Sequence, residues 1–556
     1  MLNLVRYIWT NIPGPKVSVV VMSIIVGFAN GAMLSAINGA ISARVDGTFD
    51  WTYPAIFLLS VTAFFVGGYF AMYRATDMAQ GFTMLLRQQT VEKVNASALR
   101  DVERYGRGDI YAHITRDAWT VGSTWTRMVK GFQALLVVAF CMIYLAWLSP
   151  VVFLLAVAVI GVGVRVYFVQ EKYAKVHLKS ARRNEAKLFG GVSDLLDGFK
   201  EAKLSREVAD DLVSDLKATS ADARRDFVRA EFLFYATSIV SKAMLFLLLG
   251  VIAFLPAEYI GTSAALAFQI LALLLYLVPP LEQLVDIVGP FMQAEVAKQN
   301  LDRLTDSLTP EEAARVPAVL EQADALTLDK VEMDYSDPEL GTTFTLGPID
   351  LTINRGEIVF LVGGNGSGKT TMMKVLAGLY LPDRGEMRLG GEVLGTANLG
   401  TWRDQVASVF HDFHLFDKAF GLDARTARPL IQAELERVNL QDKVTLNDDG
   451  SFSTTRLSTG QRKRLALVLA RAQRRPVLLM DEFGAEQDPE FRAFFYTDYL
   501  EALRAEGISV VAVTHDDRYF GTCDRLIKMD LGRVVYDGPP DPASGDAVTL
   551  RTAHGG

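Results

Sequence analysis

Between residues 17 and 290 the chain repeatedly runs for about 20 apolar residues at a stretch, and this constrains the fold more than any other feature. Crossing about 30 Å of hydrocarbon as a helix takes about 20 residues at 1.5 Å each. Six segments qualify, at 17–41, 54–72, 129–147, 151–169, 232–255 and 264–288. Any one of them alone would suit a buried core helix. The first would also suit a signal peptide, but it exceeds the about 7 to 15 apolar residues of a signal core, and five more follow. Six in succession are expected to span a membrane. Composition agrees, with 50% hydrophobic and 22% charged residues and a positive mean hydropathy, unusual for a soluble enzyme.

The connections after the first, third and fifth segments are short, and those after the second and fourth are long and charged. The long ones carry Arg87, Lys93, Arg100, Arg104, Arg107, Lys172, Lys179, Arg183, Lys187 and Lys200 among others, whereas the short ones offer Arg44. The positive-inside rule therefore places the long connections, both termini and the rest of the chain in the cytoplasm. Helical spacing and few glycines predict that these connections continue the membrane helices outward, turning near Gly106–Asp109 and Gly198–Lys200, where they are expected to meet the soluble half. A formal charge of -8 gives no sign of a nucleic-acid partner, which requires clustered positive charge, and none is expected. With two cysteines, Cys141 and Cys523, in separate halves, no disulfide framework or cysteine metal site is expected within one chain.

Beyond about residue 300 the pattern becomes that of a soluble α/β domain. Glu357-Ile-Val-Phe-Leu-Val362 reads as a buried strand leading into Gly363-Gly-Asn-Gly-Ser-Gly-Lys-Thr370 and a helical run from Thr371. This is a P-loop in the strand–loop–helix context it requires. Backbone N–H groups of the loop converge on an anion, the helix N-terminus adds its positive end, and Lys369 reaches the β- and γ-phosphates. The nucleotide-binding candidates here are Gly363, Asn365, Gly366, Ser367, Gly368, Lys369, Thr370 and Thr371, with Thr370 also offering a hydroxyl to Mg²⁺. Downstream, Val477-Leu-Leu-Met-Asp-Glu482 is an apolar strand ending in two carboxylates, with Asp481 expected on the metal and Glu482 as the base for a nucleophilic water. The expected ligands are ATP and Mg²⁺.

Leu457-Ser-Thr-Gly-Gln461, about 20 residues before the acidic strand, makes the pattern specific. P-loop, pentapeptide and acidic strand together resemble the ATP-binding cassette of ABC transporters, whose signature is Leu-Ser-Gly-Gly-Gln. Thr459 stands at the first signature glycine. The resemblance implies that Ser458, Gly460 and Gln461 contact nucleotide, that Tyr335 stacks on adenine, and that His515, ending the strand Ser509–Thr514, is the switch histidine. The family's glutamine, a metal ligand, aligns with His411 in Val409-Phe-His-Asp-Phe-His-Leu-Phe416. Ala485-Glu-Gln-Asp488 replaces the usual Ser-Ala-Leu-Asp and keeps Asp488. In this family each ATP lies between one cassette's P-loop and another's signature, so a homodimer is implied, and six spans before a fused cassette resemble the exporter arrangement. The implied fold is an α-helical six-span transmembrane domain over 1–310, a linker at 311–324, an α/β P-loop nucleotide-binding domain over 325–538 and a disordered tail at 539–556.

Three stretches narrow the resemblance: Asp194-Leu-Leu-Asp-Gly-Phe-Lys-Glu201, the segment Val409–Phe416, and Asp481-Glu-Phe-Gly-Ala-Glu-Gln-Asp-Pro-Glu-Phe-Arg492. With these the chain is similar to the bacterial cyclic-peptide exporters, the group that carries syringomycin-type lipopeptides, the pyoverdine siderophore precursor and microcin J25. This implies ATP-driven export of a peptide-like cargo across the bacterial cytoplasmic membrane, in contact with membrane lipid. Alternatives are a lipid flippase or multidrug exporter of the same fold and, from another class, a non-transporting membrane ATPase regulator, against which intact Glu482 and His515 speak. Arg165, Lys242, Glu282 and Asp286 are ionisable residues at membrane depth, which face protein or water or pair near span ends. Fewer than about 20 residues precede the first span, so no leader-cleaving protease is expected, and the short outer loops leave no room for an external binding domain.

Overall fold

The computed structural model describes residues 2–45, 47–254, 264–311, 325–337, 342–395 and 398–540. Most of the expected linker and nearly all of the expected tail lie outside these residues. The chain forms two compact units, one from 1–91 with 108–305 and one from 92–107 with 306–556.

The first unit is helical throughout its described residues. Four of its helices are long and apolar enough to cross a membrane: Lys16–Arg44, Thr52–Asn95, Arg107–Leu148 and Leu266–Ser307. The fourth and fifth expected spans form the apolar ends Pro150–Val166 and Lys242–Phe254 of two longer helices, Pro150–Asp197 and Arg206–Phe254. Those two helices are 48 and 49 residues long, about 70 Å each, so they run well past any bilayer. Apolar side chains cover the outside of the unit: Leu58, Leu59, Phe65 and Val66 are all exposed along Thr52–Asn95. Contiguous apolar surface on this scale needs a lipid solvent.

Inside the bundle, polar side chains pair across helices, since hydrocarbon offers them no alternative. Gln133 donates to the Ser23 hydroxyl at 3.2 Å, Tyr276 to Asn30 at 2.7 Å, and Gln269 to Ser42. Of the four ionisable residues singled out at depth, Lys242 and Glu282 pair at 3.0 Å, while Arg165 and Asp286 are exposed.

The second unit contains two sheets. β1 (Ala325–Asp337), β2 (Thr342–Asn354), β4 (Arg384–Leu389) and β5 (Glu392–Val393) form an antiparallel sheet in the order β2-β1-β4-β5. The other sheet has the order β10-β9-β3-β8-β7-β6, with β3 at Ile358–Gly363, β6 at Val406–Val409, β7 at Val477–Asp481, β8 at Ser509–Val513, β9 at Arg525–Asp530 and β10 at Arg533–Gly538. Its pairs from β9 to β6 are parallel. Every residue of β7 and β8 is buried, which is why they read as unbroken apolar runs rather than alternating ones. The consequence for function lies in the strand order. β3, β8, β7 and β6 are consecutive neighbours, so the loops after all four open side by side at one carboxyl edge, where ligands of parallel sheets bind.

Residues 92–107, which begin in the last turn of the helix Thr52–Asn95, group with this second unit. The short helix Leu99–Tyr105 packs Leu99 against the sheet core and extends two charged side chains over it. Arg100 donates to the Asp383 carboxylate at 3.1 Å and to the Asp334 carbonyl at 2.5 Å. Glu103 accepts from Lys374 at 2.8 Å and from the Tyr380 hydroxyl. Burial, and secondarily the Glu103 contact, push the Tyr380 phenol well above its ordinary range, so it stays a donor. Gly106, at φ +89°, ends this helix in a conformation that favours glycine. The expected contact at this tip is thus made by Leu99, Arg100 and Glu103, one turn before Gly106–Asp109, and Asp109 is exposed. Phe410 lies against the same core cluster as Leu99, but the polar contacts go to β1 and to the helix and turn after the P-loop.

Candidate nucleotide site

The P-loop leaves the end of β3, and the helix Lys369–Leu376 starts inside it. Lys369 is buried, and its ammonium is held over the loop by the carbonyls of Gly363 at 3.0 Å and Gly364 at 2.9 Å. The Ser367 hydroxyl is buried with no hydrogen-bond partner. An orphaned hydroxyl inside a ring of backbone N–H groups, beside a buried ammonium, fits a phosphate. Asn365 and Gly366 are exposed at the rim, and Thr371 continues the helix. A side chain at Gly368 would meet the Phe344 ring at 3.0 Å, so β2 closes on the loop. Tyr335 is the direct β1 partner of Phe344 and is 41% exposed, which leaves its ring free at the side of the loop where a base would lie.

Thr370 donates its hydroxyl to Asp481 at 3.2 Å, across from the end of β3 to the end of β7. Burial pushes the Asp481 carboxyl upward, the Thr370 bond pulls it back, and neighbouring Glu482 adds to the rise. A hydroxyl and a buried carboxylate are the hard oxygen donors that suit Mg²⁺, which takes one or two protein ligands and completes its shell with phosphate and water.

Glu482 directly follows β7 and has φ +50° and ψ +41°, a left-handed conformation costing a non-glycine residue about 1–3 kcal/mol. The turn swings its carboxylate out of the strand line and away from Asp481. One oxygen meets His515 Nε2 at 3.2 Å, just past the end of β8. The other lies 3.7 Å from His411 Nδ1, just past the end of β6. Glu482 thus sits between two histidines, both about half exposed. The fold brings together Lys369, Thr370, Asp481, Glu482, His515 and His411 through the strand order β3-β8-β7-β6.

Among the described residues, no hydrogen bond or ion pair joins Ser458, Gly460 or Gln461 to the P-loop. Ser458 caps the helix Thr459–Ala472, and its hydroxyl and the Gln461 side chain form a reciprocal capping box. Thr459 is already helical and exposed, so a side chain is tolerated at the first signature glycine. Gly460 has no such latitude: a Cβ there would lie 2.6 Å from the Glu486 carbonyl oxygen.

The loop 485–488 is bound to this helix by residues that pattern reading missed. Gln487 is buried, donating to the Gly460 carbonyl at 3.2 Å and accepting from Arg464 Nε at 2.8 Å. Arg464 also pairs with Asp488, which caps the helix Pro489–Phe494. The backbone N–H of Phe491, and then Arg464, hold the Asp488 carboxyl below its usual range. The departure at Gln487 is therefore the piece that fastens the loop to the signature. A polar residue facing the buried side of an amphipathic helix is the one signal that would have found Arg464 and Lys463 in advance.

The family model described as ABC transporter matches residues 346–485. The ATP-binding protein SyrD of Pseudomonas syringae pv. syringae is 32% identical over 557 residues, covering 96% of this chain and 96% of SyrD. An ATP-dependent lipid A-core flippase of Alkalilimnicola ehrlichii is 25% identical, over 93% of this chain and 90% of the flippase. A solved bacterial Atm1-family ABC exporter with ATP bound has a similar fold, with a TM-score of 0.77, 17% identity and 94% of each chain covered. Apolar spanning helices, a phosphate-binding loop with its paired carboxylates, and end-to-end similarity to SyrD converge on one assignment. The chain belongs to the ABC transporters and is an ATP-hydrolysing membrane exporter that carries its helical domain and its cassette on one polypeptide.

Proposed function

We propose that this exporter carries a peptide-like cargo, a cyclic peptide, lipopeptide or siderophore precursor, out across the bacterial cytoplasmic membrane as a homodimer. The observation that carries the cargo reading is similarity to SyrD over 96% of both chains, membrane half included, together with the three stretches shared with cyclic-peptide exporters. Lipid A-core flippases, also similar over most of the chain, favour lipid as the second reading. Purified protein in lipid vesicles separates the two: cyclic lipopeptides are expected to stimulate ATP hydrolysis several-fold, and lipid A-core to leave it unchanged. Stimulation by lipid A-core alone would replace the first reading with the second.

Within the dimer, the P-loop of one protomer and Ser458 and Gly460 of the other enclose each ATP. Thr370 and Asp481 would hold Mg²⁺, with His411 offering a further nitrogen, and the ion would supply positive charge to neutralise the β- and γ-phosphates. Lys369 binds the same phosphates. Glu482 takes the proton of the attacking water, and His515 orients its carboxylate through the 3.2 Å contact. Tyr335 stacks on the base.

His411 tests this division of labour. Its ring reaches towards Glu482 at 3.7 Å, too long for a direct bond, and a glutamine there keeps a polar group in range of the same carboxylate. His411→Gln is expected to keep ATP turnover within about fivefold of the parent. Inactivity as deep as that of a Glu482 variant would mean that the position performs chemistry its glutamine counterpart does not.

The helix Leu99–Tyr105 supports a coupling role for the first long connection. Glu103→Ala leaves the buried Tyr380 hydroxyl and the Lys374 ammonium without their acceptor, a local cost of about 1–3 kcal/mol. Basal hydrolysis is expected to stay within about twofold, while uptake of cargo into inverted vesicles falls about tenfold or more. Normal uptake by this variant would make the contact a passive anchor.

A further inference from the structure

Lys463 is the most deeply enclosed charged residue among the described ones, at 1% exposure, and neither nucleotide binding nor the proposed hydrolysis uses it. Burying an ammonium is costly unless its protons are satisfied, so its partners define its purpose. They are two. Nζ donates to the backbone carbonyl of Glu482 at 3.0 Å and pairs with Glu486 at 3.4 Å. On the other side, the Glu482 N–H donates to the Val513 carbonyl at 3.1 Å. The peptide groups flanking Glu482 are therefore anchored separately, one to strand β8 and the other to Lys463, whose 3.0 Å bond is shorter than the 3.4 Å bond the same carbonyl accepts from the Ala485 N–H of the turn.

That arrangement matters because Glu482 is the residue held at φ +50°. A left-handed non-glycine residue persists where its surroundings over-determine it, and relaxing it would swing the carboxylate away from His515. Lys463 also sits two residues beyond Gln461, on the helix that Ser458 caps. One ammonium thus ties the signature helix to the main chain of the base.

We propose that Lys463 is a positioning residue for ATP hydrolysis, setting the left-handed turn of Glu482 from the signature helix. The inference rests on the reading of Glu482 as base. Its consequence is that any shift of the helix engaging one ATP is felt directly by the carboxylate serving the other.

The test uses the full-length chain in lipid nanodiscs. Lys463→Met, of similar length but without a donor, is expected to lower kcat by about tenfold or more while KM and the affinity for a fluorescent ATP analogue stay within about twofold. Lys463→Gln, whose amide can still donate to the Glu482 carbonyl, is expected to recover part of that loss. In a Glu482→Gln background, followed by single-turnover hydrolysis over hours, adding Lys463→Met is expected to slow the residual rate no further, because the group it positions has gone. Wild-type kcat in Lys463→Met, or an equal fractional loss in both backgrounds, would overturn the proposal. If Lys463→Met does not fold, judged by its thermal midpoint, Lys463→Gln carries the same comparison, and an additive loss there is equally fatal. Near-normal turnover by Glu482→Gln alone would instead sink the assignment of the base.

Discussion

Glu482→Gln is expected to bind ATP with near-parental affinity and to hydrolyse it about 10² to 10⁴ times more slowly, the range that a positioned general base contributes. The amide is nearly isosteric and keeps an oxygen for His515, so the contact at 3.2 Å has a substitute. It cannot take the proton of an attacking water. The Lys369, Thr370 and Asp481 contacts lie on other side chains and survive. Because the step that releases the cassettes is blocked while the one that joins them is not, the variant should accumulate as an ATP-bound closed dimer. Crosslinking between protomers, with and without ATP, reads this directly. Turnover within a few-fold of the parent would remove Glu482 from the role of base.

Lys369→Ala should fail one step earlier. Its ammonium is buried above the loop, 2.9 to 3.0 Å from two loop carbonyls, where it forms charge-assisted bonds that phosphate oxygens can share. A hydrogen bond to a charged group contributes about 1.5–3 kcal/mol, so the dissociation constant for ATP should rise about 10- to 150-fold. The ATP-driven closure expected of Glu482→Gln should then vanish at ordinary nucleotide concentrations. Equilibrium titration with a fluorescent ATP analogue checks the first expectation. Affinity within twofold of the parent would show that the backbone N–H groups of the loop bind the phosphates without the lysine. The two variants are thus distinguishable: one binds and stalls, the other scarcely binds.

The parts of this protein that the linear chain determined are those whose physics is local. A helix that must satisfy its own backbone in hydrocarbon announces itself as about 20 apolar residues, so the stretches 17–41 and 54–72, inside the helices Lys16–Arg44 and Thr52–Asn95, were legible from hydrophobicity alone. The P-loop was legible because strand, glycine loop and helix are contiguous, and the carboxylates Asp481 and Glu482 because they close a run of wholly buried residues. The spans at 151–169 and 232–255 were also visible, but as the ends of helices at least about twice that length, whose polar portions carry no apolar signal.

What tertiary structure alone decided is every relation between segments distant in sequence. The order β3-β8-β7-β6 sets His411 and His515 on opposite sides of Glu482, although 104 residues separate them, and hydrogen bonding between strands leaves no trace in either strand's composition. The left-handed turn of Glu482 is likewise invisible in a run of L-residues, because two of its backbone partners, Val513 and Lys463, come from other elements of the fold. The tip of the first long connection was expected to meet the soluble half, but that Arg100 and Glu103 make the contact was decided only when the fold supplied Asp383, Lys374 and Tyr380, more than 270 positions away. A charged side chain records in sequence that it needs a partner, and only the folded chain determines which partner lies within 3 Å.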